Sequence, residues 1–357
     1  MSMSKFLSKK YAKLSPYTPG EQPQDMKYIK LNTNESPFPP SEKAQKYAAE
    51  AAAKMQLYPD PECRALTEKI AEMCNLSFEN VLVTNGSDEI LNFAFMAFCD
   101  DEHPAVFPDI SYGFYPVFAS LNSIPYTEIP LCEDFTIDIT KYFNAPGMVV
   151  IANPNAPTGI ALSISQVEEI VKNNPENVVV IDEAYVDFGA ESALSLIPKY
   201  ENLLVTQTFS KSRSMAGARL GFGAANAALI QDMNTVKYST NPYNINRMTM
   251  AAGLGVLEDE EYTRKNCLTV SKNREYTKCE LEKLGFEMTK SLANFIFIRH
   301  PDFDGKYLYE QLKARGVLVR HFNKPRLSEY LRVTIGSRDE MDAFLKTLSD
   351  IIGGGNK

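Results

Sequence analysis

Histidine is scarce in this chain: His103, His300 and His321 are the only three among 357 residues. None stands at ligand spacing from Cys, Asp or Glu, so no metal site is expected. The six cysteines (Cys63, Cys74, Cys99, Cys132, Cys267 and Cys279) include no C-x-x-C pair. Scattered in this way they are expected to be reduced, packed thiols of a cytoplasmic protein. No apolar run reaches the roughly 18 residues that span a bilayer, and residues 1–20 hold no apolar core of a secretory signal. An excess of positive charge is missing too. Lys and Arg number 37 against 45 Asp and Glu, a formal net of −8. Neither nucleic acid nor membrane is therefore an expected partner, although a local basic pocket for a small anion stays open. No period of roughly 20–50 residues repeats, which excludes a solenoid. There is no G-x-S-x-G elbow, and no histidine sits where a hydrolytic triad would need one.

What is present describes a globular protein: 44% hydrophobic and 23% charged residues. Short β-branched runs alternate with amphipathic stretches through the middle of the chain. The strand candidates are Val81–Thr84, Ala105–Phe107, Met148–Ala152, Val178–Ile181, Leu203–Thr206 and Leu220–Ala224. Helical patterns between them include Asp88–Cys99, Ser165–Asn173 and Ala225–Lys237. Apolar strands separated by helices predict an α/β fold with a mostly parallel sheet sandwiched by helices. After Pro242 the pattern changes to a long polar helical stretch near 245–284, then short strands and helices, predicting a smaller α+β unit. The first forty residues carry Pro16, Pro19, Pro23, Pro37, Pro39 and Pro40, too many for a long helix. The expected division is an arm over 1–44 joining the small unit, a large domain over 45–244, and a small domain over 245–357.

A parallel sheet binds ligands outside the carboxyl ends of its strands, so the residues just past each strand matter most. After Val81–Thr84 comes Asn85-Gly86-Ser87-Asp88-Glu89, a turn into a helix whose free amides suit a phosphate, or only an ordinary helix cap. After Met148–Ala152 comes Asn153-Pro154-Asn155-Ala156-Pro157-Thr158-Gly159, a rigid irregular turn. After Val178–Ile181 comes Asp182-Glu183-Ala184-Tyr185. A carboxylate at the end of a buried strand needs a cation, whether a ligand or a neighbouring arginine. After Leu203–Thr206 comes the densest stretch, Thr208-Phe209-Ser210-Lys211 through to Arg219-Leu220-Gly221, with its lysine and arginine set among small residues. An amine, a carboxylate, a phenol and phosphate donors at strand ends are the set that pyridoxal phosphate requires.

With those motifs in order, the sequence resembles the fold-type I aminotransferases of the histidinol-phosphate aminotransferase family. The resemblance runs from Tyr17-Thr18-Pro19-Gly20 to Leu331-Arg332-Val333-Thr334-Ile335-Gly336. It implies pyridoxal 5'-phosphate as cofactor, with Lys211 as the Schiff-base lysine, Asp182 facing the pyridine nitrogen and Tyr185 donating to the phenolate oxygen. Gly86, Ser87, Asp88, Thr208, Ser210 and Arg219 match phosphate-binding positions, and Tyr112 matches the aromatic stacked on the ring. Tyr58 matches a tyrosine reaching the phosphate from a second subunit, which implies a homodimer. One position departs from the pattern: Ala156 stands where the family's phenolate-contacting asparagine is usual, and Asn155 is the expected substitute. On the substrate side, Arg332 matches the carboxylate clamp. Arg320 and Tyr17 match positions associated with the phosphate of histidinol phosphate, and Asn34 matches the N-terminal substrate-side segment. The implied reaction is amino transfer with glutamate and 2-oxoglutarate as one pair. An aromatic aminotransferase and a threonine-phosphate decarboxylase share the frame. From other classes, a regulator retaining the cofactor fold is a further reading. So is a dinucleotide-dependent oxidoreductase, though Gly221-Phe222-Gly223-Ala224-Ala225-Asn226 lacks the third glycine of that fingerprint.

Overall fold

The β-branched runs assemble into one seven-stranded sheet in the computed structural model, which describes residues 4–12 and 14–354. Across the sheet the strands are Val81–Thr84, Gly221–Ala225, Leu203–Thr208, Val179–Asp182, Met148–Ala152, Ala105–Pro108 and Tyr126–Ile129. All pair in parallel except Gly221–Ala225, which runs antiparallel to both neighbours. The segment joining it to Leu203–Thr208 holds only the short 3-10 turn Ala216–Ala218. It lacks the crossover helix that a parallel return requires. The edge strand Tyr126–Ile129 escapes the hydrophobic pattern because it is largely exposed.

Alternate residues of the central strands face opposite layers, as the period of two demands. Val149, Ile151, Val179, Ile181, Leu203 and Val205 join one core, with the helices Arg64–Cys74 and Ile164–Lys172. Val150, Val180 and Leu204 join the other, with Ser87–Phe98 and Tyr115–Asn122. Both faces are therefore covered, and the free chemistry is pushed to the strand ends.

The long helical stretch expected near 245–284 is two helices, Arg247–Leu257 and Glu260–Lys283. Ile245, Ala252, Val256 and Leu257 pack into the core of the large sheet, whereas Cys267, Val270 and Leu281 belong to the small unit. Hydrophobic partners thus put the division near Asp259, one helix later than composition alone suggests. The small unit holds a four-stranded antiparallel sheet in the order Arg320–His321, Leu331–Thr334, Phe295–Arg299 and Glu287–Met288. The N-terminal segment joins it: Ile29–Lys30 pairs in parallel with Val317–Leu318, and Leu31 is buried in the small unit's core. The last helix, Arg338–Gly354, continues through Gly353 and Gly354; Gly355 lies outside the described residues. Among the described residues no helix is long and apolar enough to cross a membrane, and no cluster of His, Cys, Asp and Glu could hold a metal ion.

Candidate active site

Two joined cavities open at the carboxyl ends of the central strands. The inner one, about 130 Å³, is lined by Ser87, Asp88, Asp182, Ser210, Lys211 and Arg219 among others. The outer one, about 630 Å³, adds Tyr17, Asn34, Arg320 and Arg332 from the N-terminal segment and the small unit. Tyr112, Ala156, Tyr185 and Lys211 line both.

The anion end of the inner cavity is the N-terminus of Ser87–Phe98. Gly86, the residue before it, has φ +82°, and a Cβ there would stand 2.7 Å from the Arg219 guanidinium. Gly221 is equally constrained, since its Cβ would lie 2.4 Å from the Ser87 amide nitrogen. The two glycines let a helix terminus, an arginine and a strand end converge. Arg219 makes an ion pair with Asp88 at 3.0 Å, and Asp88 also accepts from the Tyr112 hydroxyl at 2.8 Å. Ser210 Oγ accepts from Thr208 at 2.8 Å and from Arg219 at 3.4 Å. Gly86, Ser87, Asp88, Thr208, Ser210 and Arg219, the positions within this chain expected to bind phosphate, are thus brought together at this one end.

At the opposite end stands Asp182, almost fully buried. Among the described residues no arginine pairs with it: Tyr115 donates its hydroxyl to Asp182 Oδ2 at 2.9 Å, and the Ala184 amide reaches Oδ1 at 3.3 Å. Burial pushes its carboxyl up to about 6, only partly offset by the Tyr115 hydrogen bond. A cationic ring nitrogen in contact would restore an ordinary carboxylate, and a buried carboxylate is the acceptor that a pyridinium N–H requires. Its neighbour Glu183 points to the other face, bonded to Ser192, the Ala193 amide and Gln207. Tyr115 was not singled out from sequence; the cluster of aromatics after Ile110 was the only signal.

Lys211 projects between these ends. Its Nζ donates to the Thr33 carbonyl at 3.2 Å, and burial, followed by the charge of Arg332, lowers its ammonium to about 8. An amine held there is still mostly protonated at pH 7, with roughly a tenth free, but far more of it is available as a nucleophile and base than of an ordinary lysine. Tyr185 sits 6.0 Å from that amine, measured to the ring centre, and its hydroxyl accepts from Asn34 Nδ2 at 3.0 Å.

Asn155 does not take the place left by Ala156. Its Nδ2 donates to the Ile110 carbonyl (3.0 Å) and to Thr158 Oγ1 (3.2 Å), and its Oδ1 accepts from Ser111 (2.8 Å). Both amide protons are given to the loop, and Asn155 lines neither cavity, in contrast to its expected place against a cofactor oxygen. The methyl of Ala156 forms that stretch of wall instead. Tyr58 also lies apart from the cavities: it is 79% exposed, stacked on Tyr243, with its carbonyl accepting from Arg247.

In the outer cavity Arg320 and Arg332 are directly opposed residues of paired strands. Their guanidinium carbons lie 5.5 and 5.6 Å from the Phe322 ring centre. Arg332 donates to the Asn32 carbonyl at 3.0 Å, while its buried Nε has no hydrogen-bond partner among the described residues. Arg320 donates to the carbonyls of Thr18 and Pro19, and Tyr17 stacks on Phe114 at 4.4 Å.

A model of the family "Aminotransferase class I and II" matches residues 26–348. The histidinol-phosphate aminotransferase of Brachyspira hyodysenteriae is 49% identical over 98% of this chain and 99% of its own length. That of Clostridium botulinum (strain Kyoto / Type A2) is 50% identical over the same shares. The fold is also that of histidinol-phosphate aminotransferase from Sinorhizobium meliloti in complex with pyridoxal-5'-phosphate. That structure has a TM-score of 0.83 at 23% identity, with 92% of each chain covered. With its motifs, its two cavities and these likenesses in agreement, the chain belongs to the class I and II aminotransferases, within the histidinol-phosphate aminotransferase family.

Proposed function

We propose that this aminotransferase moves an amino group from histidinol phosphate to 2-oxoglutarate, using pyridoxal 5'-phosphate held in the inner cavity. The observation that carries the substrate reading is the pair of opposed guanidiniums, Arg320 and Arg332, sharing the Phe322 ring. Two like charges held together in a partly buried site are relieved best by a ligand of two negative charges. A phosphate monoester supplies that, as does the pair of carboxylates on glutamate or 2-oxoglutarate. The relatives that match this chain nearly end to end bear the same substrate in their names.

The inner cavity fits the cofactor by its donors. Gly86 leaves space that a Cβ would fill, Arg219 and Ser210 face the helix terminus, and Asp182 waits buried at the far end. When bound, pyridoxal 5'-phosphate supplies a protonated ring that draws electron density from the bond broken at the substrate Cα. The protein's own residues do the rest. Ser87, Asp88, Thr208, Ser210 and Arg219 hold the phosphate end, and Tyr112 covers the ring. Asp182 would keep a proton on the ring nitrogen, and Tyr185 would donate its hydroxyl proton to the cofactor's oxygen. Lys211 would hold the cofactor's aldehyde carbon through its amine and would be placed to move a proton at the substrate Cα. Arg332 would orient an amino-acid carboxylate, Arg320 and Tyr17 would face the phosphate, and Asn34 lines the outer cavity beside Tyr185.

The exposed Tyr58, stacked on Tyr243 with Met55 and Leu57 also exposed nearby, supports a homodimer in which this turn meets a second copy's site. The substrate is tested by assaying histidinol phosphate, phenylalanine and threonine phosphate side by side with 2-oxoglutarate. Histidinol phosphate is expected to give the highest kcat/KM by at least about tenfold, the margin of one charge-assisted contact. Equal use of phenylalanine would indicate an aromatic aminotransferase, and carbon dioxide release from threonine phosphate a decarboxylase.

A further inference from the structure

The strand Leu331–Thr334 carries two residues on one side at a spacing of two, Arg332 and Thr334. Arg332 lines the outer cavity. Thr334 is buried and does something else: it grips Asn34 twice. Its Oγ1 accepts from the Asn34 backbone N–H at 2.9 Å and donates to Asn34 Oδ1 at 3.1 Å. Asn34 has φ +56°, a left-handed conformation that asparagine tolerates, and its carbonyl accepts from Asn294 Nδ2 at 3.0 Å. The one remaining direction of the Asn34 amide is toward Tyr185, to whose hydroxyl oxygen Nδ2 donates at 3.0 Å.

The direction of these bonds matters. Thr334 has a single hydroxyl proton, and having accepted the Asn34 N–H it gives that proton to Oδ1. This fixes which end of the amide faces Tyr185. Because Asn34 donates to the phenol oxygen, the Tyr185 proton cannot be given back to Asn34 and is left for the cleft. A donor bonded through its oxygen in this way is also strengthened. The matter is sharper in this chain than in one with an asparagine beside Pro157. Ala156 offers no polar group, and the Asn155 amide is spent on Ile110 and Thr158.

We propose that Thr334 is a positioning residue. Through Asn34 it turns the Tyr185 hydroxyl so that its proton points into the cleft, coupling the seating of the small unit to the donor that faces the cofactor oxygen. The inference rests on the pyridoxal-phosphate reading above. It also shifts Asn34 from a substrate contact to a link between two parts of the molecule. The charged and titratable groups facing Tyr185 are Arg332 on the small unit, Lys211 and Asp182 on the large one, and Tyr17 on the arm. None of these is replaced in the test.

In Thr334→Val the shape is kept and the hydroxyl removed, so the Asn34 amide is free to turn and accept the Tyr185 proton. The measurement is the pH titration of the visible absorption of bound pyridoxal phosphate in the purified enzyme. Loss of a donor to the cofactor oxygen makes that oxygen more basic. The midpoint should therefore rise by roughly 0.5–1 pH unit, the equivalent of one hydrogen bond. Thr334→Ser should keep the native midpoint. In a Tyr185→Phe background, which itself raises the midpoint at least as much, adding Thr334→Val should change nothing further. A native midpoint in Thr334→Val, or an equal rise with and without Tyr185, overturns the positioning role and leaves the cofactor reading intact. No visible band in the native protein supplied with pyridoxal phosphate overturns both.

Discussion

The inner and outer cavities share four wall residues yet are built in different ways. The inner one is made by the large sheet: its polar residues stand at strand ends and are fixed by bonds within one strand end, Thr208 to Ser210, or between the ends of adjacent strands, Arg219 to Asp88. The outer one is stitched across the chain, Arg332 to the Asn32 carbonyl, Arg320 to Thr18 and Pro19, Asn34 to Thr334, each spanning about 300 residues. A site held by a sheet buried on both faces is rigid and serves every substrate alike. A wall assembled from an arm and a second unit can move, and is where substrates are told apart. Chemistry is thereby assigned to the inner cavity and selection to the outer.

The strongest way to break that assignment is Lys211→Ala. Removing both the anchoring amine and the proton carrier should lower kcat by about 10⁴-fold or more for all substrates together. The visible band of bound cofactor should disappear with it. A variant that kept turnover on one substrate and lost it on another would show that the inner cavity also selects. Arg320→Ala probes the opposite side. It should reduce kcat/KM for histidinol phosphate by roughly ten- to a hundredfold, as expected for a charged hydrogen-bonding partner, while glutamate, whose distal carboxylate brings one charge to Arg320 against the phosphate's two, loses less. Steady-state kinetics with both amino donors decide it, and equal losses would mean that Arg320 braces the arm through Thr18 and Pro19 instead of reading the phosphate.

The same contrast explains what could be read from the sequence. The inner cavity was legible because each motif sits within a few residues of a strand that hydrophobicity reveals: Asp182 after Val179–Ile181, Lys211 after Leu203–Thr208. The edge strand Tyr126–Ile129 was not, since exposure removes its apolar pattern. Nor was the place of Arg247–Leu257, whose face matches the large core although its position in the chain suggests the small unit. Where the Asn155 amide spends its protons is not legible either, because local spacing does not set it; the fold turns it to Ile110 and Thr158. Thr334 was invisible for the same reason, its partner lying 300 residues away. Motifs report what a strand presents, whereas hydrogen-bond direction is a property of the assembled molecule.

The smallest expected effect concerns stability, and it separates the two cavities by pH. Lys211 in the inner one has its ammonium lowered to about 8, with burial as the main cause, against 10.5 in the unfolded chain. In protein prepared without cofactor, both states bind the proton below about pH 8, and the folded state bears a constant cost for burying it. Between about 8 and 10.5 the unfolded chain still binds the proton while the folded one has released it, so this group's contribution to stability rises with pH across that window. Lys211→Met removes the cost. The variant should be more stable than the native protein below pH 8, by at most about 3 kcal/mol, and the difference should shrink as pH rises to 10.5. Arg332→Met in the outer cavity is the control. Burial lowers the guanidinium from its ordinary value, but an arginine stays charged throughout this range, so its difference from native should not follow pH. Urea denaturation at several pH values gives both differences. A Lys211→Met difference as flat as that of Arg332→Met would mean that the inner cavity lets solvent reach the amine. It would then lose the dryness that distinguishes it from the outer one.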